Sequence, residues 1–195
     1  MTNINRLPRN IWFISDTHFS HERILMFRDS TKPENPFIRP GFANADEMDA
    51  LMIQRWNEVI GERDKVYHAG DVAFAGGKTL HRIMPQLKGV KRLIMGNHDE
   101  YKLEHYTPYF KIQPCWREFS SKEFGKSFVV THVPVHEAGY DKRKGNIKYN
   151  VHGHIHQNLV RDKDNNPHPH YINICVEHTD YRPVHIDDLR ARMVD

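Results

Sequence analysis

The feature that most constrains this chain is a recurrence. Five short apolar runs each lead into a residue of the metal-binding type. "NIWFIS" (10–15) runs into Asp16 and His18, and "KVYHA" (65–69) into Asp71. "KRLIM" (91–95) runs into Asn97 and His98, "SFVVTH" (127–132) ends on His132, and "KYNVHG" (148–153) leads to His154 and His156. Apolar runs without clean alternation are the signature of strands covered on both faces. In layered α/β folds, ligands gather at the C-terminal ends of such strands. Chance accounts for one or two polar residues at strand ends. Five successive segments point to a shared site.

Two further runs, "HYINICV" (170–176) and "RPVHI" (182–186), also read as strands. Helical patterns alternate with the early strands. The clearest is 44–61, where Asn44 is placed to cap, with Glu47 as its return partner. Met48, Leu51, Met52, Trp56, Val59 and Ile60 then line one face, and Gly61 closes the pattern. The Met and Trp stripe is core, not a cofactor surface. A second helix is expected over 78–87, a third from Asp99, and a short one after Asp187. Alternation early and strands late predict an α/β layered fold around one or two mostly buried sheets. No linker or repeat interrupts the 195 residues, so a single domain, 1–195, is expected. The proline-spaced stretch 29–42 is a long loop of the kind that carries function.

Composition excludes several classes. A hydrophobic fraction of 38% and a charged fraction of 27% describe a globular chain, not a disordered one. No apolar run approaches the roughly 20 residues of a membrane span. The N-terminal apolar stretch is too short for a signal peptide, so a cytoplasmic location and no membrane partner are expected. Cys115 and Cys175 form no framework and read as reduced, packed thiols. A net charge of +3 leaves nucleic acid open as a partner without favouring it. The 15 histidines are the unusual number, and their positions decide what they mean.

Asp, Asn and His without Cys make an oxygen and nitrogen donor set. It suits Mn²⁺, Fe, Co²⁺, Ni²⁺ or Zn²⁺ better than a structural zinc knuckle. Asp-x-His and His-x-His put alternate side chains on one face of a strand end. Two such pairs with a carboxylate between them hold two cations about 3.5–4 Å apart, which clamps a phosphoryl group and generates a nucleophile.

The ordered blocks "DTH", "GD", "GNHD", "TH" and "GHIH", spanning residues 16 to 156, resemble the calcineurin-like metallophosphoesterase superfamily. The length and the opening "FISDTHFSHERI" resemble its small bacterial and phage members. The resemblance implies a four-layer α/β/β/α sandwich of two packed mixed sheets. It implies two divalent metal ions, Mn²⁺ foremost. Asp16, His18 and His156 would hold the first, Asn97, His132 and His154 the second, and Asp71 would bridge both. A bridging hydroxide would attack phosphorus in line. His98 would stand over the phosphate and protonate the leaving oxygen. Two departures matter. Protein phosphatases of this superfamily carry Gly-Asp-x-x-Asp-Arg-Gly and end the third block in Glu; here the blocks read "GDVAFAG" and "GNHD". Phe74 stands where the acid that orients the catalytic histidine is expected. Asp99 either replaces that acid or starts the next helix.

The other histidines divide by position. His21 is a candidate for substrate contact, His152 and His68 read as structural, and His81, His105, His136, His168, His170, His178 and His185 as surface residues. The basic run 141–149 reads as a solvated face, with a rival in which Lys142, Arg143, Lys144 or Lys148 catches a second phosphate or a nucleic-acid backbone. Loop 29–42, with Arg28 and Arg39, would form the opposite wall. The expected activity is hydrolysis of a phosphorylated small-molecule or nucleotide-like substrate, by a phosphodiesterase or phosphomonoesterase. A nuclease of the same metal type is the alternative, and a catalytically weak binding protein the third reading.

Overall fold

The computed structural model describes residues 10–29, 33–34, 36–74, 76–99, 102–140 and 147–193. Two mixed sheets form its frame. The first contains β1 (Ile11–Ile14), β2 (Lys65–His68), β3 (Val90–Leu93), β4 (Phe110–Ile112) and β9 (Val184–His185), in the order β4-β3-β2-β1-β9. β1 to β4 are parallel and β9 is antiparallel to β1. The second contains β5 (Trp116–Phe119), β6 (Phe128–Thr131), β7 (Tyr149–His152) and β8 (Tyr171–Asn173), in chain order. β5 is antiparallel to β6, and β6 to β8 are parallel.

The sheets pack face to face through one core, in which Phe13, Tyr67 and Ala69 of the first meet Phe128, Val130 and Val151 of the second. Both faces of β6 and β7 are buried, which is why "FVVT" and "YNVH" show no polar alternation. The other face of the first sheet is covered by α1 (Ala45–Val59) and α2 (Gly77–Ile83). α1 forms there because its apolar residues fall on one side. Met48, Met52, Trp56 and Ile60 are buried, each contributing about 1.5–3 kcal/mol. Asn44 caps it by accepting from Glu47 N at 2.9 Å. The return bond differs from expectation, since Glu47 Oε2 accepts from Ala43 N, one residue earlier. Tyr140 and Ile147 pack on Val129 at the far face of the second sheet. The remaining helices are α3 (Ser121–Phe124) and α4 (Ile186–Ala191).

Three expectations change. Among the described residues no helix starts at Asp99, and a 3-10 turn stands at Leu103–His105. The helix expected over 78–87 breaks into α2 and a 3-10 turn, because Pro85 has no N–H to continue it. Cys115 is exposed, whereas Cys175 is buried as expected. Among the described residues, no helix is long and apolar enough to cross a membrane.

The sheets meet at their C-terminal ends. Ser15, just past β1, pairs with Cys175, just past β8, through Ser15 N to Ile174 O at 3.1 Å and Val176 N to Ser15 O at 3.2 Å. This seam brings the loops of both sheets to one place.

Candidate metal centre

Five loops converge at that seam, and two clusters of ligand-type atoms result. Asp16, His18 and His156 form one, and Asp71, His132 and His154 the other, with the donor atoms of each within 4.8 Å of one another. Asp71 joins them. Its Oδ2 lies 3.5 Å from His18 Nε2 and 3.5 Å from His132 Nε2. Asn97 completes the second cluster, with Oδ1 2.8 Å from His132 Nε2. All seven ligand positions expected from the sequence therefore lie together.

The backbone is strained where these residues sit. Asp16, His18, Asp71, His154 and His156 all have positive φ, between 47° and 71°. For a residue other than glycine this costs about 1–2 kcal/mol each. Such strain concentrates at functional sites when surrounding bonds over-determine it. Here Asp16 N donates to Gly70 O at 3.0 Å and His18 N to Asp71 O at 3.0 Å. His154 N donates to Asp16 Oδ2 at 2.9 Å.

Two glycines permit the approach. A Cβ on Gly96 would collide with Asp71 Oδ1, and one on Gly153 with Ser15 Oγ and Asp16 Oδ2. Gly96 has no positive φ; what it supplies is contact distance.

The hydrogen bonds leave the ligand atoms free in a selective way. Asp16 Oδ2 accepts from Ser15 Oγ at 2.5 Å, His154 N and Cys175 Sγ at 3.2 Å. Oδ1 of the same carboxylate is buried and, among the described residues, has no hydrogen-bond partner, as is true of His18 Nε2. Burial raises the Asp16 carboxyl above its usual range. Burial, with Arg39 nearby, holds His18 well below the usual histidine range, which keeps it neutral and able to ligate. His132 directs Nδ1 to Ala69 O at 2.8 Å, which points Nε2 at Asp71 and Asn97. An orphaned carboxylate oxygen among converging imidazoles fits a divalent cation, and this oxygen and nitrogen set is the one borderline metals prefer.

A buried ion pair stands behind the first cluster. Glu177 Oε1 lies 3.0 Å from His156 Nδ1 and accepts from Arg39 Nε at 2.8 Å. Arg39 also donates to Thr17 O at 3.0 Å and Asp16 O at 2.5 Å. Burial alone would raise Glu177, but Arg39 and His156 outweigh it and hold the carboxyl at about 2. Arg39 was expected on a loop wall facing substrate. It is 1% exposed, because its guanidinium binds backbone carbonyls and a carboxylate inside the fold. Sequence reasoning missed Glu177, although it follows the last strand of the second sheet and so obeys the strand-end rule.

Asp99 takes neither expected role. Its Oδ2 accepts from Asp71 N and Gly96 N, both at 2.8 Å, and its Oδ1 from Val72 N at 3.0 Å. It stitches the "GD" loop to the "GNHD" loop. His98 is exposed beside the site, with its N–H on Asp71 Oδ1 at 2.8 Å and its ring 5.5 Å from that of His18. Among the described residues, no carboxylate hydrogen-bonds the His98 ring. His21 is buried next to His18, and Phe74 stacks on it. His68 is a core residue, bonded to Thr17 Oγ1 at 3.0 Å and Gly70 N at 3.2 Å. His152 is buried in β7 with Nδ1 on Gly153 O at 2.9 Å. Lys142, Arg143 and Lys144 lie outside the described residues. Lys148 is exposed.

Comparison with known proteins places the chain in a family. The chain is 30% identical to uncharacterized protein MJ1445 of Methanocaldococcus jannaschii over 183 residues, covering 92% of this chain and 88% of that protein. It is 32% identical to the gene 66 protein of Mycobacterium phage L5 over 93 residues, covering 46% of this chain and 40% of the phage protein. Among solved structures, the protein of unknown function AQ665 from Aquifex aeolicus superposes with a TM-score of 0.67 at 29% identity, covering 94% of this chain and 98% of that one. Residues 10–174 match the calcineurin-like phosphoesterase superfamily domain, and the chain belongs to that superfamily.

Proposed function

We propose that the protein hydrolyses phosphate esters with two divalent metal ions and a histidine acid. Membership of the superfamily supports metal-dependent phosphoester hydrolysis in general. The observation that carries the finer reading is the pair of ligand clusters joined at Asp71. Asp16, His18 and His156 would hold one ion, Asn97, His132 and His154 the other, and Asp71 would contribute to both. Two such ions supply Lewis acidity and a water of lowered pKa. Mn²⁺ suits the donors, with Fe, Zn²⁺, Ni²⁺ and Co²⁺ as alternatives.

The remaining work falls to the chain. Asp71 Oδ1 fixes the His98 backbone, so the histidine stays at the mouth of the site while Oδ2 faces the ligands. His98 there protonates the leaving oxygen. Phe74 replaces the acid of protein phosphatases and stacks on His21, so the site lacks that phosphatase signature. This supports a small or nucleotide-like ester as substrate over a phosphoprotein. Purified protein with Mn²⁺ is expected to cleave p-nitrophenyl phosphate or its bis ester. Failure to hydrolyse either with any divalent metal would sink the reading.

A further inference from the structure

The loop after β1 carries an aromatic surface beside the metal centre. His21 is 6% exposed, and its ring centroid lies 5.3 Å from that of His18. Phe74 stacks on His21, with centroids 4.0 Å and planes 12° apart. Phe27 meets the same ring edge-on at 5.7 Å. Phe74 is nonetheless 38% exposed, Phe27 43% and Met26 71%. Phe37 bridges to Arg28, whose guanidinium lies 5.4 Å from the Phe37 ring centre. Phe37 is 38% exposed, so four of the nine exposed large hydrophobic side chains among the described residues collect here. An exposed apolar rim beside a polar cleft marks a binding surface.

The surface is held rigidly. Asp49 is buried and accepts from Ser20 N at 3.0 Å, Ser20 Oγ at 3.1 Å and Arg82 Nη2 at 2.8 Å. Glu22 accepts from Ala45 N at 2.8 Å, which ties the loop to the start of α1. Phe74 N donates to Phe19 O at 2.7 Å. The buried His21 Nδ1 has no hydrogen-bond partner among the described residues.

We propose that this shelf receives a planar aromatic group of the substrate, a nucleobase or aryl ring that stacks on Phe74 while the phosphate lies at the metal centre. The inference rests on the phosphoesterase reading and names its substrate class. His21 stacks on one face of Phe74, and Phe74 as a whole keeps 38% of its surface exposed. Two ring-to-ring steps, of 5.3 and 4.0 Å, link His18 to Phe74 through His21, so the shelf adjoins the ligand cluster. Stacking on an aromatic platform tolerates any base and raises affinity by about tenfold or more. Phe74 thus replaces an orienting acid with a stacking surface.

The test is calorimetric binding to the Mn²⁺-loaded protein of adenosine 5′-monophosphate, phenyl phosphate and ribose 5-phosphate. Turnover of p-nitrophenyl phosphate is measured alongside. Adenosine 5′-monophosphate is expected to bind about tenfold or more tightly than ribose 5-phosphate. Phe74→Leu, which keeps apolar bulk, should erase most of that difference, and Phe74→Tyr should keep it. An equal gain for phenyl phosphate means the shelf accepts aryl rings generally; a gain for the nucleotide alone means it reads a nucleoside. Both support the shelf. Equal affinity for the nucleotide and the sugar phosphate, no binding of the nucleotide, or a difference that survives Phe74→Leu would overturn it. Turnover without the nucleotide preference defeats the shelf alone. The preference without turnover defeats the phosphoesterase reading and leaves the shelf standing.

Discussion

Gly96 and His98 are two residues apart and answer different questions. Gly96 has no positive φ, so what an alanine there meets is steric: its Cβ runs into the Asp71 carboxylate and backbone N and the His132 ring. Gly96→Ala is therefore expected to lower both bound metal and thermal stability, read by elemental analysis and calorimetry on the same preparation. Metal content equal to wild type would mean that Asp71 moves freely and does not bridge. His98 lies outside both ligand clusters. His98→Ala should keep its metal and lose about 10²–10⁴-fold in turnover. Loss of metal instead would move His98 into the ligand shell. That these Asp, Asn and His side chains converge was readable in the chain because each follows an apolar run. The role of Asp99 was not. Its three backbone donors come from two loops, so no local pattern around Asp99 could reveal it.

Elements matter through how they are tied together. Arg39 lies in the loop before α1 and Glu177 in the turn after β8, 138 positions apart. Their ion pair orients His156 and clamps the carbonyls of Asp16 and Thr17. Glu177→Gln should weaken metal binding by about 10–100-fold, as loss of a partner behind a ligating histidine does. A metal titration followed by calorimetry reads this, and unchanged affinity would show that packing alone orients His156. Arg39→Ala strands a buried carboxylate, so it should cost about 3–5 kcal/mol in a denaturant melt. Sequence reasoning located seven of the strands but passed over β4 and β5. Both are edge strands, of three and four residues, and mostly uncovered, so they carry no continuous apolar run.

For the whole molecule, buried histidines set the response to acid. Burial lowers His68 from 6.5 to about 3 and His152 from 6.5 to about 4. Both stay neutral in the fold while the unfolded chain takes up protons below 6.5. Unfolding therefore binds protons there, and stability falls as pH drops, by about 1.4 kcal/mol per pH unit for each group. Thermal melts between pH 7 and 5 should show this slope, and His68→Gln should reduce it by about one proton; a flat profile would contradict the burial argument. That two sheets rather than one form the frame was not decidable from the apolar runs, because strands buried on both faces look alike in either case; the resemblance of the motif blocks implied it, and the structure has two mixed sheets. The gathering of strand ends was decidable, because only a shared site explains the recurrence. On the proposed function, Asp71 would join two metal ions at that gathering point. This is tested most directly by following p-nitrophenyl phosphate hydrolysis as Mn²⁺ is added to the metal-free protein, with bound metal counted at each step. Activity is expected to rise until two ions are bound per chain and then to level. Full activity with one ion bound, or two bound ions without hydrolysis, would contradict it.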